Sequence, residues 1–152
     1  MFPHTRLLES RDSEVILEIQ SACPEIAQWT LWDYERVARG EMCGWVAEVG
    51  GEVTGFLIAR RVASELEILN FAVRPSMRRM GIGLALLNAA CKWGESFGAQ
   101  KGFLEVRASN RSALSFYRRF NFRESGRRQG YYASPVEDAL LLEMDFHQTH
   151  DA

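Results

Sequence analysis

Six residues carry the most chemistry per position: Arg78-Arg79-Met80-Gly81-Ile82-Gly83. An apolar run ends at Val73 just before them, and another begins at Leu84 just after. That places two arginines and two glycines at a strand-to-helix junction. Glycines remove side chains, so an anion can approach the backbone, and successive N–H groups from Arg79 to Leu84 can point at it. The start of the helix contributes about half a positive charge, and Arg78 and Arg79 add full charges beside it. A phosphate or pyrophosphate is the ligand that suits such a junction.

Other readings are open on these residues alone. The stretch is not a P-loop, because GxxxxGK[ST] is absent. A dinucleotide site would use Gly81 and Gly83, with Glu105 on the ribose. Against it, the third glycine position holds Leu86. The strands ahead of the motif also read as hairpin-joined, whereas that fold opens on its glycine loop. Glycines serving only a tight turn are the bland alternative.

The flanking sequence says what positions the loop. A weak strand is expected near 5–9. Ser10 is a cap candidate for a helix near 11–22, with Val15, Ile16, Ile19 and Ala22 as its buried stripe. A short helix follows near 31–39. CGWVAEV (43–49) and VTGFLIARRV (53–62) flank Gly50-Gly51-Glu52 as a hairpin. ELEILNFAV (65–73) is a third strand, closed by Pro75. The helix after the glycines runs to about Phe97, where Gly98 stops it. GFLEVRAS (102–109) is a strand, and Asn110 caps a helix to about Phe120. Asn121 suits a left-handed turn, and strands near 122–128 and 138–146 complete the order. An α/β mixed sheet of about seven strands, with about four helices on its faces, is predicted.

Composition bounds the function. The 152 residues suit one domain spanning 1–152, expected to act as a monomer. Hydrophobic residues are 47% and charged residues 25%, which argues against long disorder. No apolar run is long enough for a membrane span, and residues 1–14 lack a signal peptide's apolar centre, so a cytoplasmic protein is expected. Cys23, Cys43 and Cys91 form no CxxC and read as reduced packing residues. His147 and His150, near the chain end, are not read as metal ligands, and no metal is expected. The net charge of −2 argues against a nucleic-acid binder. Residues 1–75 hold 7 Lys+Arg and 12 Asp+Glu, while residues 76–152 hold 11 and 8. An acidic half that could meet a basic peptide is thus followed by a basic half that could meet an anion.

Arg78-x-x-Gly81-x-Gly83 resembles the [QR]xxGx[GA] signature of the GNAT N-acetyltransferases. The likeness extends over nearly the whole chain. LEVRASNRSALSFYRRFNF (104–122), LNFAVRP (69–75), Tyr131-Tyr132, Glu137-Asp138-Ala139, and Trp29-Thr30 ahead of Tyr34 resemble blocks of the branch that acetylates protein N-termini. In particular they resemble the enzymes acting on ribosomal-protein alanine. Asn121-Phe122 stands where the family commonly has Gly-Phe, Met80 and Leu84 where polar residues are frequent, and SACPEIAQWT departs from the usual spacing.

The resemblance implies acetyl-CoA as cosubstrate, with its pyrophosphate on Arg78, Arg79, Met80, Gly81, Ile82, Gly83 and Leu84. The strand at 65–73 is expected to splay from the strand at 102–109 because Arg74-Pro75 cannot continue a ladder. The pantetheine arm would fill that gap, pairing with the backbone of Phe71, Ala72 and Val73, and Asn110 would both cap its helix and touch the cofactor. Glu105 matches the general base and Tyr117 the general acid. Trp29, Tyr131 and Tyr132 are the substrate-side candidates. Adjacent tyrosines on a strand face opposite ways, so only one would reach the groove unless the backbone bends. The implied acceptor is a protein N-terminus, foremost the N-terminal alanine of a small-subunit ribosomal protein. Lysine, a small amine or drug, and a non-catalytic acyl-CoA sensor are the alternatives.

Overall fold

A computed structural model describes residues 2–146. One seven-stranded sheet runs through it in the order β1-β2-β3-β4-β5-β7-β6. Its strands are β1 (His4–Leu7), β2 (Cys43–Val49), β3 (Glu52–Val62), β4 (Glu65–Val73), β5 (Lys101–Arg107), β6 (Arg123–Ala133) and β7 (Val136–Asp145). The helices are α1 (Ser13–Ser21), α2 (Leu31–Ala38), α3 (Ile82–Ser96) and α4 (Arg111–Arg119). Every strand pairing is antiparallel except β4 with β5. His147 and His150 lie outside the described residues.

The two faces of the sheet carry separate cores. Ile16, Ile19, Tyr34 and Val37 of α1 and α2 pack on Val46, Phe56 and Ile58. Leu86, Leu87, Leu114 and Tyr117 of α3 and α4 pack on Leu57, Leu66, Leu104 and Leu142. Among the described residues, no helix is long and apolar enough to cross a membrane. Cys23 and Cys91 are buried, Cys43 is half-buried, and all three are free thiols.

Local chemistry sets the boundaries. Thr30 and Asp33 form a reciprocal cap at the start of α2, with Thr30 Oγ1 accepting the Asp33 N–H and Asp33 Oδ2 the Thr30 N–H. Asn110 Oδ1 accepts the Ala113 N–H, as its position predicts. Asn121 takes the left-handed conformation, at φ 74°. Ser10 does not cap the first helix. A short 3-10 turn, Ser10–Asp12, precedes α1, and Asp12 accepts the Glu9 N–H at 2.8 Å while pairing with Arg6 at 2.8 Å. Ala22 lies exposed just past the end of α1, and the buried stripe runs through Ser13, Ile16, Ile19 and Gln20 instead. β6 runs five residues beyond the predicted 128, because a bulge lets its pairing with β7 resume at Tyr132.

One further bulge organises the centre. Ile58 pairs with Asn70 and Ala59 with Ile68, so Leu69 is an extra residue in β4. A one-residue insertion changes which face later side chains take. Leu66 and Ile68 join the α3/α4 core, whereas Ala72 joins the α1/α2 core. The bulge also bends β4, whose pairing with β5 ends at Glu67–Phe103. The strands therefore part as predicted, but well before Arg74-Pro75. The bulge at Leu69, rather than the proline, is the local cause.

Candidate active site

The parting of β4 and β5 opens a cavity of about 380 Å³. Its wall includes Glu25, Ile26 and Ala27 from the loop between α1 and α2, Leu69 to Phe71 from β4, Leu104 to Arg107 from β5, Asn110, Ala113 and Tyr117 from the α4 end, and Tyr131 and Tyr132 from β6. Glu105 and Tyr117 thus come together in one cavity from an alternating strand and a short helix.

Tyr117 is buried, its ring set edge-on against Phe71, Phe116 and Phe122. Burial holds its phenol pKa above the ordinary value, so the proton is retained. Glu105 is half-buried, with Arg128 Nε 3.3 Å from its Oε1. Its carboxylate, facing Tyr131, raises the Tyr131 phenol pKa.

Both tyrosines reach the cavity because the backbone bends. Arg128 pairs with Ala139 and Tyr132 with Glu137, leaving extra residues in β6 between them. Gly130 sits at φ 58° within this bulge, a conformation that suits glycine. Asp138 supports the bulge by accepting the Gly130 N–H at 2.9 Å and pairing with Arg127 at 2.7 Å. Glu137 accepts from Arg107 at 2.9 Å and from Ser109 Oγ at 3.1 Å. Arg107 in turn lies 4.2 Å above the Tyr132 ring. The Glu137-Asp138 pair therefore shapes one wall of the cavity without lining it. Those bonds hold both carboxyl pKa values below the ordinary range: Arg107 is the largest cause at Glu137, and the Gly130 N–H at Asp138.

Trp29 is not on the cavity wall. It stacks on Tyr34 at 5.4 Å, and Ile26 and Ala27 of the same loop face the cavity in its place. The backbone expectation for β4 is also narrowed. The Arg74 N–H donates to Thr54 O at 2.8 Å, across to β3. Strand alternation then aims Ala72 at β3, and Phe71 and Val73 at the gap. The Phe71 N–H donates to Asn70 Oδ1 at 3.1 Å.

The glycine loop has the shape of an anion cradle. Arg79 and Gly81 both take positive φ, 67° and 79°, and Gly81 caps α3. Left-handed residues in such a turn converge successive N–H groups on one point, and α3 adds its positive end. The Arg78 side chain reaches Glu25 and Cys23. Its Nη2 lies 3.1 Å from Glu25 Oε1 and 3.5 Å from Cys23 Sγ. A Cβ at Gly83 would touch Phe116 at 3.4 Å and Phe71 at 3.5 Å, at the α4 side of the gap.

Residues given no role from the sequence include Arg60, Glu67 and Asn70 on the wall, Arg128 beside Glu105, and Gln20 and Tyr34 behind Asn70. Asn70 and Gln20 carried a signal: each is a polar residue at a position that the apolar period assigns to the interior.

A parallel pair that parts, a cavity where it parts and a glycine turn that opens α3 frame the site. Residues 8–122 match the acetyltransferase (GNAT) family, and the chain belongs to that family. An N-alpha-acetyltransferase of Sulfurisphaera tokodaii is 35% identical over 121 residues, 71% of this chain and 72% of that one. The crystal structure of the ribosomal-protein-alanine N-acetyltransferase from Escherichia coli superposes with a TM-score of 0.82 at 26% identity, covering 95% and 94% of the two chains. Arabidopsis thaliana NAA60, crystallised with acetyl-CoA, shares the fold at a TM-score of 0.83 and 22% identity, covering 95% and 99%. The chain is an acetyltransferase built on a mixed seven-stranded sheet.

Proposed function

We propose that this enzyme transfers the acetyl group of acetyl-CoA to the α-amino group of a protein N-terminus, the N-terminal alanine of a small-subunit ribosomal protein being the leading substrate. The observation that carries the reading is the cavity with Glu105 and Tyr117 on its wall. The similarity to N-alpha-acetyltransferases supports the acceptor class.

In this reading the pyrophosphate rests on the N–H groups of 79–84. The pantetheine arm runs along the gap-facing backbone of Phe71 and Val73, and the Val73 N–H polarises the thioester carbonyl. Asn110 caps α4 and borders the cofactor. Glu105 removes a proton from the incoming ammonium. The neutral amine attacks the thioester carbon, the C–N bond forms, and the C–S bond breaks. Tyr117 gives the departing thiolate its proton, and the second proton that the nitrogen sheds as the amide forms restores the phenol through solvent. Tyr131 and the loop at 25–27 flank the acceptor, and the carboxylate of Glu25 suits an ammonium or a basic peptide.

The α-amino group is the easier acceptor. Its ordinary pKa of about 7.8, against about 10.4 for lysine, makes its neutral form roughly a few hundred times more abundant near pH 7. Thiol release from acetyl-CoA with a peptide beginning Ala-Arg-Tyr tests the reading. Turnover is expected with a free N-terminus and is lost when the terminus is blocked. Equal turnover of an N-blocked lysine peptide overturns the N-terminal assignment.

The cofactor end has its own test. Gly83→Glu places bulk and a negative charge beside Phe116, where the cofactor is expected to pass. The KM for acetyl-CoA is expected to rise by about tenfold or more, a loss of about 1.4 kcal/mol or more, with little change in Tm. An unchanged KM sinks the placement of the pyrophosphate.

A further inference from the structure

Behind the acceptor side of the cavity lies a chain of buried polar groups that the chemistry above does not use. Asn70, Tyr34 and Gln20 are 4%, 0% and 6% exposed. Asn70 Nδ2 donates to the Tyr34 hydroxyl at 3.0 Å and to the Ala27 carbonyl at 3.1 Å. The Tyr34 hydroxyl donates to Gln20 Oε1. Gln20 Nε2 then donates to the Trp29 carbonyl at 2.9 Å, and Gln20 Oε1 accepts the Trp29 N–H at 3.0 Å. The remaining oxygen, Asn70 Oδ1, accepts the Phe71 N–H.

The contacts of this chain show what it does. Asn70 joins the α1–α2 loop at Ala27 directly to β4 at Phe71, whose ring packs against Phe116 and Tyr117. Gln20 holds the same loop at Trp29, and the Tyr34 hydroxyl ties the two amides together. That loop supplies Glu25, Ile26 and Ala27 to the cavity wall. Its first turn has backbone bonds, from Cys23 to Gln20 and from Ile26 to Cys23, whereas Ala27 and Trp29 are held by these side chains. Burying an amide is unfavourable unless its partners are in place. Leucine or methionine would fill the same sites without that demand. The bulge at Leu69 also matters here, because Asn70 falls among residues facing the α1/α2 side only after that insertion.

We infer that Asn70, Tyr34 and Gln20 are positioning residues, which set the acceptor loop at a fixed place relative to Tyr117 and the gap-facing strand of β4. The inference rests on the reading of the cavity as a site for an N-terminal amine. The network holds no substrate. It fixes where the amine is presented, and displacement of a reacting group by about 1 Å can cost on the order of a hundredfold in rate.

Tyr34→Phe is the test, because it removes one hydroxyl and keeps the ring against Trp29 and Phe56. The kcat/KM for the Ala-Arg-Tyr peptide is expected to fall by about tenfold or more, with the acetyl-CoA KM unchanged. Hydrogen exchange is expected to speed up at the amides of 22–30 and nowhere else. Gln20→Met, which cuts the chain at its loop end, is expected to give the same split. Two results overturn the inference: the acetyl-CoA KM rising as well, with faster exchange across the whole sheet, or a variant that leaves the peptide kcat/KM and loop exchange unchanged. If the wild type acetylates no free N-terminus, the functional reading falls. The exchange experiment needs no turnover and still decides whether these side chains hold the loop.

Discussion

Tyr117→Phe is expected to lower kcat by about a hundredfold or more, with little change in the KM for acetyl-CoA. The substitution keeps the ring and its contacts with Phe71, Phe116 and Phe122, so packing should survive. What it removes is a hydroxyl in the cavity that donates no hydrogen bond to another protein group among the described residues. Burial disfavours the phenolate, so the pKa moves up and the proton stays on oxygen to a higher pH than for a free tyrosine. The sign has a consequence for the pH profile. Ionisation of Tyr117 should not produce an alkaline decline of kcat below about pH 10. A phenol of raised pKa does not protonate a thiolate outright. Its contribution is a hydrogen bond that strengthens as charge grows on sulfur, with the proton passing as the C–S bond breaks. Steady-state kinetics with thiol detection, beside a thermal melt, separate the cases. Full kcat in the variant makes Tyr117 a packing residue and leaves the thiolate to depart unaided.

The elements that position these groups were legible because they obey local rules. ELEILNFAV marks β4 from Glu65 to Val73, ending where Pro75 must end it. Asn110 and Asn121 sit where a cap and a left-handed turn need them. The glycine spacing around 81 and 83 announced a strand-to-helix junction, and the structure gives that junction positive φ at Arg79 and Gly81 with Gly81 capping α3. What stayed hidden depends on register. The extra residue at Leu69 cannot be seen in the apolar period of β4, yet it sends Asn70 toward Tyr34 and opens the gap early. The bulge at Gly130 likewise brings Tyr131 and Tyr132 onto one cavity, against simple alternation. Trp29 looked like a substrate aromatic because of its type and its neighbours. Its backbone is held by Gln20, nine residues earlier, and its ring lies against Tyr34, five residues later. The Arg78 side chain, expected at the phosphate from its motif, also pairs with Glu25, which lies 53 residues earlier in the chain and which no motif announces. Each of these depends on tertiary contacts that a local pattern does not encode.

Glu105→Gln is expected to abolish most activity near pH 7 and to regain part of it above about pH 8. The argument concerns the acceptor's proton. At pH 7 most α-amino groups are ammonium, and a base must take one proton before attack. The amide introduced by the substitution keeps the shape of the side chain but accepts no proton. Above the α-amine's ordinary pKa of about 7.8 the substrate arrives neutral, so the missing base matters less. A lysine acceptor, at about 10.4, would show no such recovery within the range of a stable assay. The substitution also releases Arg128 and changes the partner of Tyr131, so a pH-independent component is expected on top of the recovery. The measurement is kcat/KM for wild type and variant from about pH 6.5 to 9.5, a range that brackets the α-amine's titration. One peptide carries a free N-terminal alanine and no lysine, and the other is N-blocked and carries one lysine. A variant whose defect on the free-terminus peptide stays constant across that range makes Glu105 a residue that binds or orients the acceptor, and the proton must then leave by another route. Recovery on the free-terminus peptide alone assigns both the base and the class of amine it serves.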